Sequence, residues 1–440
     1  MTVAIAARVG GADRVLSAGE VGSFVAEQLA GLDVDGRSVC VLVPDGTRVC
    51  PLPLLIGAVH RALHGRVSRM TVLIALGTHG AMSAAALEAH LGGVYPGVEV
   101  RNHEWWDPAA FAHLGTIPSA RIEELSEGRM RGDVEVRLNR AVVEHDIALV
   151  VGPVLPHEVV GMSGGNKYFF PGVAGQEIID VSHWLGALIT SAEIIGTTGL
   201  TPVRALINEG AALIPAEKYA FSVVTADVDS DGKMSYPGAS LAPPTRVGEV
   251  SGTTSSGLHS ISFGDCVSSW ESAAEISAAT HVTYLDAPVR RVLSLVPAMY
   301  DDIWTGAKGF YKVEPVVADG GEVILYAPHI REIAASHPEI HDIGYHCRDY
   351  FVKQWDAFQH VHWGVLAHST HLRGAGTYDA ATGEERLRVG VTLATGIPED
   401  VCRAVNLGYR DPATIDVAAF VADRDTLVVP RAGEVLFRLR

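Results

Sequence analysis

The feature that most constrains this chain is an alternation of short β-branched runs with stretches apolar at helical spacing. Ser38–Val43 reads as a strand, followed by the loop Pro44-Asp45-Gly46-Thr47-Arg48. Leu52–His64 then has helical periodicity, with Pro51 at its start, where proline is tolerated. Met70–Leu76 is the next strand, followed by Gly77-Thr78-His79-Gly80 and a helix over Ser83–Leu91. Asp146–Val151 is a further strand, and Gly152–His157 leaves its C-terminal end. Such alternation predicts an α/β fold with a mostly parallel, doubly wound sheet. Ligands of open parallel sheets bind beyond the carboxyl ends of the strands. Asp45, Arg48, His79 and His157 all fall there.

Residues 228–262 are rich in Gly, Ser, Thr and Pro and read as a hairpin or mobile connection. The domain transition is expected near 265–285, giving an N-terminal α/β domain over 1–275 and a smaller C-terminal α/β domain over 276–440. In the latter, Arg291–Val296, Glu322–Tyr326 and Arg388–Ala394 read as strands, with a helix around Ile303–Tyr311. A cleft between two such domains is the expected place for an active site.

Composition narrows the function classes. The chain has 440 residues, 48% hydrophobic and 19% charged, enough to bury a large core. It shows no uncharged apolar run of about 18 residues, so no membrane span is expected. The N-terminus lacks the pattern of a secretory leader, so none is expected. Five cysteines are dispersed without CxxC spacing, which predicts a reducing, cytoplasmic setting. The formal charge of −17 disfavours nucleic acid as a partner. A pocket can still hold a small anion, because it sets its own local field.

The chemistry concentrates in residues 156–183. Lys167 follows the turn Ser163-Gly164-Gly165 and precedes an apolar run closed by Pro171-Gly172. A lysine in such surroundings is costly unless its charge is offset, and covalent attachment to a cofactor is one way to remove it. The turn itself can present backbone amides to an anion, although a lone SGG is a weak signal that a plain turn explains better on its own. His79 and His157 are candidates for acid–base work, against the plain alternative of histidines that bond their own loops. Arg48 suits a carboxylate or phosphate, against a capped turn with a surface ion pair. His183 reads as lying near a helix start, as a cap neighbour or a metal ligand. Trp304, Thr305 and Lys308 in the second domain, and Trp355 in a helical stretch, are candidate substrate-side residues. His360, His362, His368 and His371 raise a zinc reading. No acidic partner stands at metal-ligand spacing, and a helix there would turn His360 and His362 to different faces.

Taken in order, Asp-Gly-Thr-Arg (45–48), Gly-Thr-His (77–79), Pro-His with Ser-Gly-Gly-x-Lys and Pro-Gly (156–172), and His183 resemble the lactate racemase family. These are nickel-pincer-nucleotide-dependent racemases and epimerases of 2-hydroxy acids, and the resemblance runs from Asp45 to about Trp355. It implies a pyridinium-3,5-bisthiocarboxylic acid mononucleotide joined to Lys167 and holding Ni(II), with His183 as the protein ligand. It further implies that His79 and His157 are the catalytic acid/bases, and that Arg48 and Lys308 bind the substrate carboxylate. Asp45, Ser163, Gly164 and Gly165 fall to the cofactor, and Trp304, Thr305 and Trp355 to the substrate. Cofactor-biosynthesis proteins are then the expected partners of the loaded form. The family often has glutamine where this chain has Thr305, which points to a 2-hydroxy acid other than lactate. A non-catalytic carrier of the cofactor or of a hydroxy acid, and a zinc hydrolase built on residues 360–371, are the alternatives.

Overall fold

The computed structural model describes residues 6–226, 256–433 and 435–440. The chain divides into two compact units. The first comprises Met1–Leu155, Met162–Ile179 and Thr198–Thr280; the second comprises Pro156–Gly161, Asp180–Thr197 and His281–Arg440.

The first unit is built on a seven-stranded sheet in the order Ala7–Gly10, Leu258–Gly264, Glu217–Thr225, Ile147–Pro153, Ser38–Pro44, Arg69–Ala75, Val98–Asn102. The run from Glu217–Thr225 to Val98–Asn102 is parallel throughout, and the two strands at the other edge are antiparallel. Ile147–Pro153 is buried along its whole length. Its apolar composition follows from being covered on both faces, as central parallel strands are. Val39, Val41, Val43, Val72 and Ile74 pack against the helices Ala18–Ala30 and Leu52–Leu63 through Val21, Phe24, Leu29, Leu55, Ile56 and Val59. Each such buried aliphatic chain contributes about 1.5–3 kcal/mol before entropy is counted. Ser17 and Glu20 close a capping box at the start of Ala18–Ala30.

Strand order reverses beside Ser38–Pro44. From there the chain builds outward through Arg69–Ala75 to Val98–Asn102, then returns to Ile147–Pro153 and builds the other way. The adjacent carboxyl ends of Ser38–Pro44 and Ile147–Pro153 therefore flank a topological switch point, where a crevice forms.

The second unit has a five-stranded, all-parallel sheet in the order Gly408–Tyr409, Gly390–Thr395, Val317–Ala327, Val289–Leu295, Thr426–Val429. Its core includes Leu293, Ile324 and Ala394, one from each central strand.

Several sequence expectations need adjusting. The expected connection at 228–262 falls largely outside the described residues, but its end is a strand, Leu258–Gly264, paired antiparallel with Glu217–Thr225. The single helix around Ile303–Tyr311 is two short turns, Ile303–Gly306 and Lys308–Tyr311. His183 lies in the middle of the helix Gln176–Ile189, not near its start. The chain is already helical from Gln176. The helix in the histidine-rich segment is Trp363–Arg373, which carries His368 and His371 and leaves His360 and His362 before it.

No helix among the described residues is long and apolar enough to cross a membrane. All five cysteines are free thiols.

Candidate active site

The loop after Ser38–Pro44 and the turn after Arg69–Ala75 meet through one bond: His79 Nδ1 lies 2.5 Å from Asp45 Oδ2. The other carboxylate oxygen, Oδ1, accepts from the Thr47 amide at 3.1 Å and from the Thr47 hydroxyl at 2.7 Å. Asp45 is buried. Burial alone raises a carboxyl pKa, but His79, Arg48 and Thr47 outweigh it and hold Asp45 well below the usual carboxylate range. The His79 carbonyl accepts from the Trp105 indole N–H at 2.9 Å, and the His79 amide donates to the Leu76 carbonyl at 2.9 Å. The turn is also tied to the Pro171-Gly172 bend, where the Gly77 amide donates to the Gly172 carbonyl at 2.9 Å.

Lys167 stands on a short 3-10 turn, Gly165–Tyr168, and is half-buried. The turn is pressed against its support. A Cβ at Gly164, whose φ is +86°, would come within 2.6 Å of Val154, and one at Gly165 would come within 2.6 Å of the Cys266 carbonyl. Glycine is required at both positions. Below the turn lies Arg204, 2% exposed, whose guanidinium stacks 4.0 Å over Trp270 and donates to the Gly164 and Met162 carbonyls. Burial brings its pKa down to about 9, and among the described residues no carboxylate pairs with it. Trp270 Nε1 donates to the Ser163 carbonyl at 2.8 Å. The Tyr168 side chain rests on Gly152, where a Cβ would overlap its hydroxyl. Its phenol is pushed up by burial, with Arg48 and Asp45 as neighbouring charges. Asp45, Arg48, His79 and the Lys167 turn thus share one edge of the first sheet.

The second unit holds the other candidates. His157 is buried, with Nδ1 accepting from the Val159 amide at 3.2 Å and Glu158 Oε2 at 3.3 Å from the same nitrogen. His183 is half-buried, and the neighbouring Trp184 stacks on Trp355 with ring centroids 5.4 Å apart. Trp355 therefore backs the helix that carries His183. The Trp304 indole lies between the imidazoles of His337 and His368, each at 3.9 Å. Both faces are covered, so only its edge remains for a ligand. Thr305 is committed locally, its hydroxyl donating to Asp302 Oδ1 at 2.9 Å. Lys308 is buried with Nζ 4.8 Å over the Tyr300 ring. Burial drives His368 well below the usual imidazole range, helped by His371, His337, Lys308 and His183, and burial lowers His371 to about 4. Both are neutral imidazoles near pH 7.

The four histidines of 360–371 are not brought together. His360 and His362 are exposed, and His362 sits 3.3 Å from Asp180, whereas His368 and His371 are buried on the following helix. Among the described residues no group of three or more histidine, cysteine or acidic side chains is placed to hold a metal. Sequence reading missed Trp105, Arg204 and His337. Their roles arise from packing between distant segments, and no local motif marks them.

The lactate racemase N-terminal domain family matches residues 24–196. The lactate racemase of Thermoanaerobacterium thermosaccharolyticum is 26% identical over 152 residues, which span 33% of this chain and 32% of that protein. The likeness to the lactate racemase family is thus carried by residues 24–196. A crystal structure of a protein from Thermotoga maritima is 31% identical with a TM-score of 0.85, covering 98% of this chain and 100% of that one. The lactate racemase apoprotein structure from T. thermosaccharolyticum shares the fold at 16% identity and a TM-score of 0.68, covering 96% of this chain and 93% of that one. The curated match spans only about a third of the relative's length.

Proposed function

We propose that this protein is a racemase or epimerase of a 2-hydroxy acid and works with a nickel-pincer nucleotide tethered to Lys167. The observation that carries the reading is the Asp45–His79 pair on the same sheet edge as the Lys167 turn, within the segment that matches the lactate racemase N-terminal domain. The residues present suit the group. Lys167 offers a half-buried amine, Arg204 is a buried cation without a carboxylate among the described residues, and His183 offers one imidazole nitrogen of the kind that suits Ni(II). Bound, the nucleotide would supply reversible hydride acceptance, which avoids removing the weakly acidic C2 proton beside an ionised carboxylate.

The chain's own residues handle the rest. His79 takes the hydroxyl proton of one enantiomer at Nε2, and His157 serves the other enantiomer in the same way. Arg48 and Lys308 bind the carboxylate and orient C2. The reading carries with it dependence on cofactor-making proteins and a cytoplasmic setting.

The test is protein produced together with the cofactor pathway and offered enantiopure aliphatic, aromatic and sugar-derived 2-hydroxy acids in deuterated water. Racemisation with C2 unlabelled, stoichiometric nickel, and a mass increment on the Lys167 peptide that Lys167→Ala abolishes are expected. Substantial deuterium at C2 would overturn hydride transfer. A loaded protein that leaves every acid unchanged would make it a carrier.

A further inference from the structure

Asp45 has so far stood with the cofactor, but its geometry gives it a different job. Its Oδ2 meets His79 Nδ1 at 2.5 Å, while its Oδ1 is filled by two donors from Thr47. We infer that Asp45 and Trp105 are positioning residues that act through His79. Asp45 fixes the imidazole as the Nδ1–H tautomer, and Trp105 fixes the backbone from which the ring projects.

A buried carboxylate can only accept, so the proton on this bond belongs to His79 Nδ1. The remaining nitrogen, Nε2, then carries the lone pair, and it makes no hydrogen bond to any described residue. The His79 side chain is 26% exposed, so the ring is not sealed from solvent. Asp45 is itself held ionised, against its burial, by His79 opposite and by Arg48 and Thr47 on its own loop. Trp105 comes from the segment after Val98–Asn102 and closes the His79 carbonyl with its indole N–H at 2.9 Å. Two side chains from different segments thus determine one imidazole, through its ring and through its backbone.

The inference rests on the proposed acid–base role of His79 for its consequence, but not for its test. Ring nitrogen shifts of ¹⁵N-histidine-labelled apoprotein at alkaline pH, assigned with His79→Gln, read the tautomer directly. The expected result is Nδ1–H for His79 in the native protein. In Asp45→Asn the two Thr47 donors hold the amide oxygen, so the amide nitrogen faces the imidazole and the tautomer should switch to Nε2–H. With a loaded enzyme, kcat should fall by ~10³-fold or more with KM little changed, as when a carboxylate that orients a histidine is lost. Trp105→Phe should keep the native tautomer and lower kcat about tenfold, as expected for loss of an aligning contact. Native His79 protonated on Nε2, or an unswitched Asp45→Asn, overturns the role of Asp45. Unchanged kcat in Trp105→Phe overturns that of Trp105. If Asp45→Asn does not fold, the native spectrum still decides. If the tautomers are as expected and no hydroxy acid turns over, the racemase reading fails and this one stands.

Discussion

His103 is a residue whose ionisation the fold forbids. It is fully buried, accepts from Asn139 Nδ2 at 3.0 Å through Nδ1, and meets the edge of Phe111 at 5.5 Å. Its amide donates to the Ile74 carbonyl at 3.1 Å, which anchors the segment leading to Trp105. Burial lowers its pKa to about 4, only partly countered by the Ala174 backbone. In the unfolded chain the same imidazole titrates near 6.5. As pH falls through that range the unfolded state binds the proton first. The contribution of His103 is therefore whole above about 6.5 and is lost progressively towards about 4. Urea unfolding of His103→Gln, which has no titrating ring, should show a shallower loss of stability between those limits than the native protein. An equal slope would mean the imidazole is solvated or paired when charged.

At the scale of elements, the helix Gln176–Ile189 shows how a placement can depend on a missing side chain. Gly186, three residues after His183, lies so close to the 156–161 segment that a Cβ would stand 2.9 Å from the Val159 carbonyl and 3.0 Å from Val159 Cγ1. That segment carries His157, whose Nδ1 is held by the Val159 amide. Gly186→Val should push helix and segment apart, destabilise the fold by about 1–3 kcal/mol, and lower turnover in a loaded enzyme. A native unfolding midpoint in Gly186→Val would show the contact to be dispensable. Much of this level was legible in advance. Ser38–Pro44, Leu52–Leu63 and Arg69–Ala75 match their periodicities closely because buried parallel strands and amphipathic helices write their packing into local sequence. The order of loop motifs likewise put Asp45, Arg48, His79 and His157 beyond strand ends, of which the first three fall in the first unit and His157 in the second. What local sequence could not carry was the bond from Asp45 to His79, the indole of Trp105 on the His79 carbonyl, or the stacking of His337 and His368 on Trp304. Each joins segments far apart in the chain.

Across the whole molecule the same physical solution occurs twice. In the first unit Asp45 and His79 follow carboxyl ends of parallel strands beside a reversal of strand order. In the second, Trp304, Thr305 and Lys308 follow the end of Val289–Leu295, and His337 follows the end of Val317–Ala327. Val289–Leu295 is again the strand beside which the order reverses. Carboxyl ends of parallel strands leave loops free to vary without disturbing the sheet, so function gathers there and the amino ends are left to hold the sheet together. The amino ends of the second sheet do carry charge: Arg291 pairs with Glu322 at 2.7 Å and with Asp423 at 3.6 Å, in a surface groove that also includes Arg290, Arg388 and Asp425. A groove lined by arginines could be mistaken for a carboxylate site, but Arg291 and Arg388 are already ion-paired and partly exposed. Arg291→Ala should therefore cost less than about 1 kcal/mol, as surface ion pairs do, and leave kcat/KM of the loaded enzyme within about twofold of native. Lys308→Ala, at the opposite edge, should raise KM or abolish turnover. If Arg291→Ala instead lost activity with its unfolding midpoint intact, the separation of a binding edge from a structural edge would not hold in this unit, and the groove at the amino ends would become the better candidate for the acid's carboxylate.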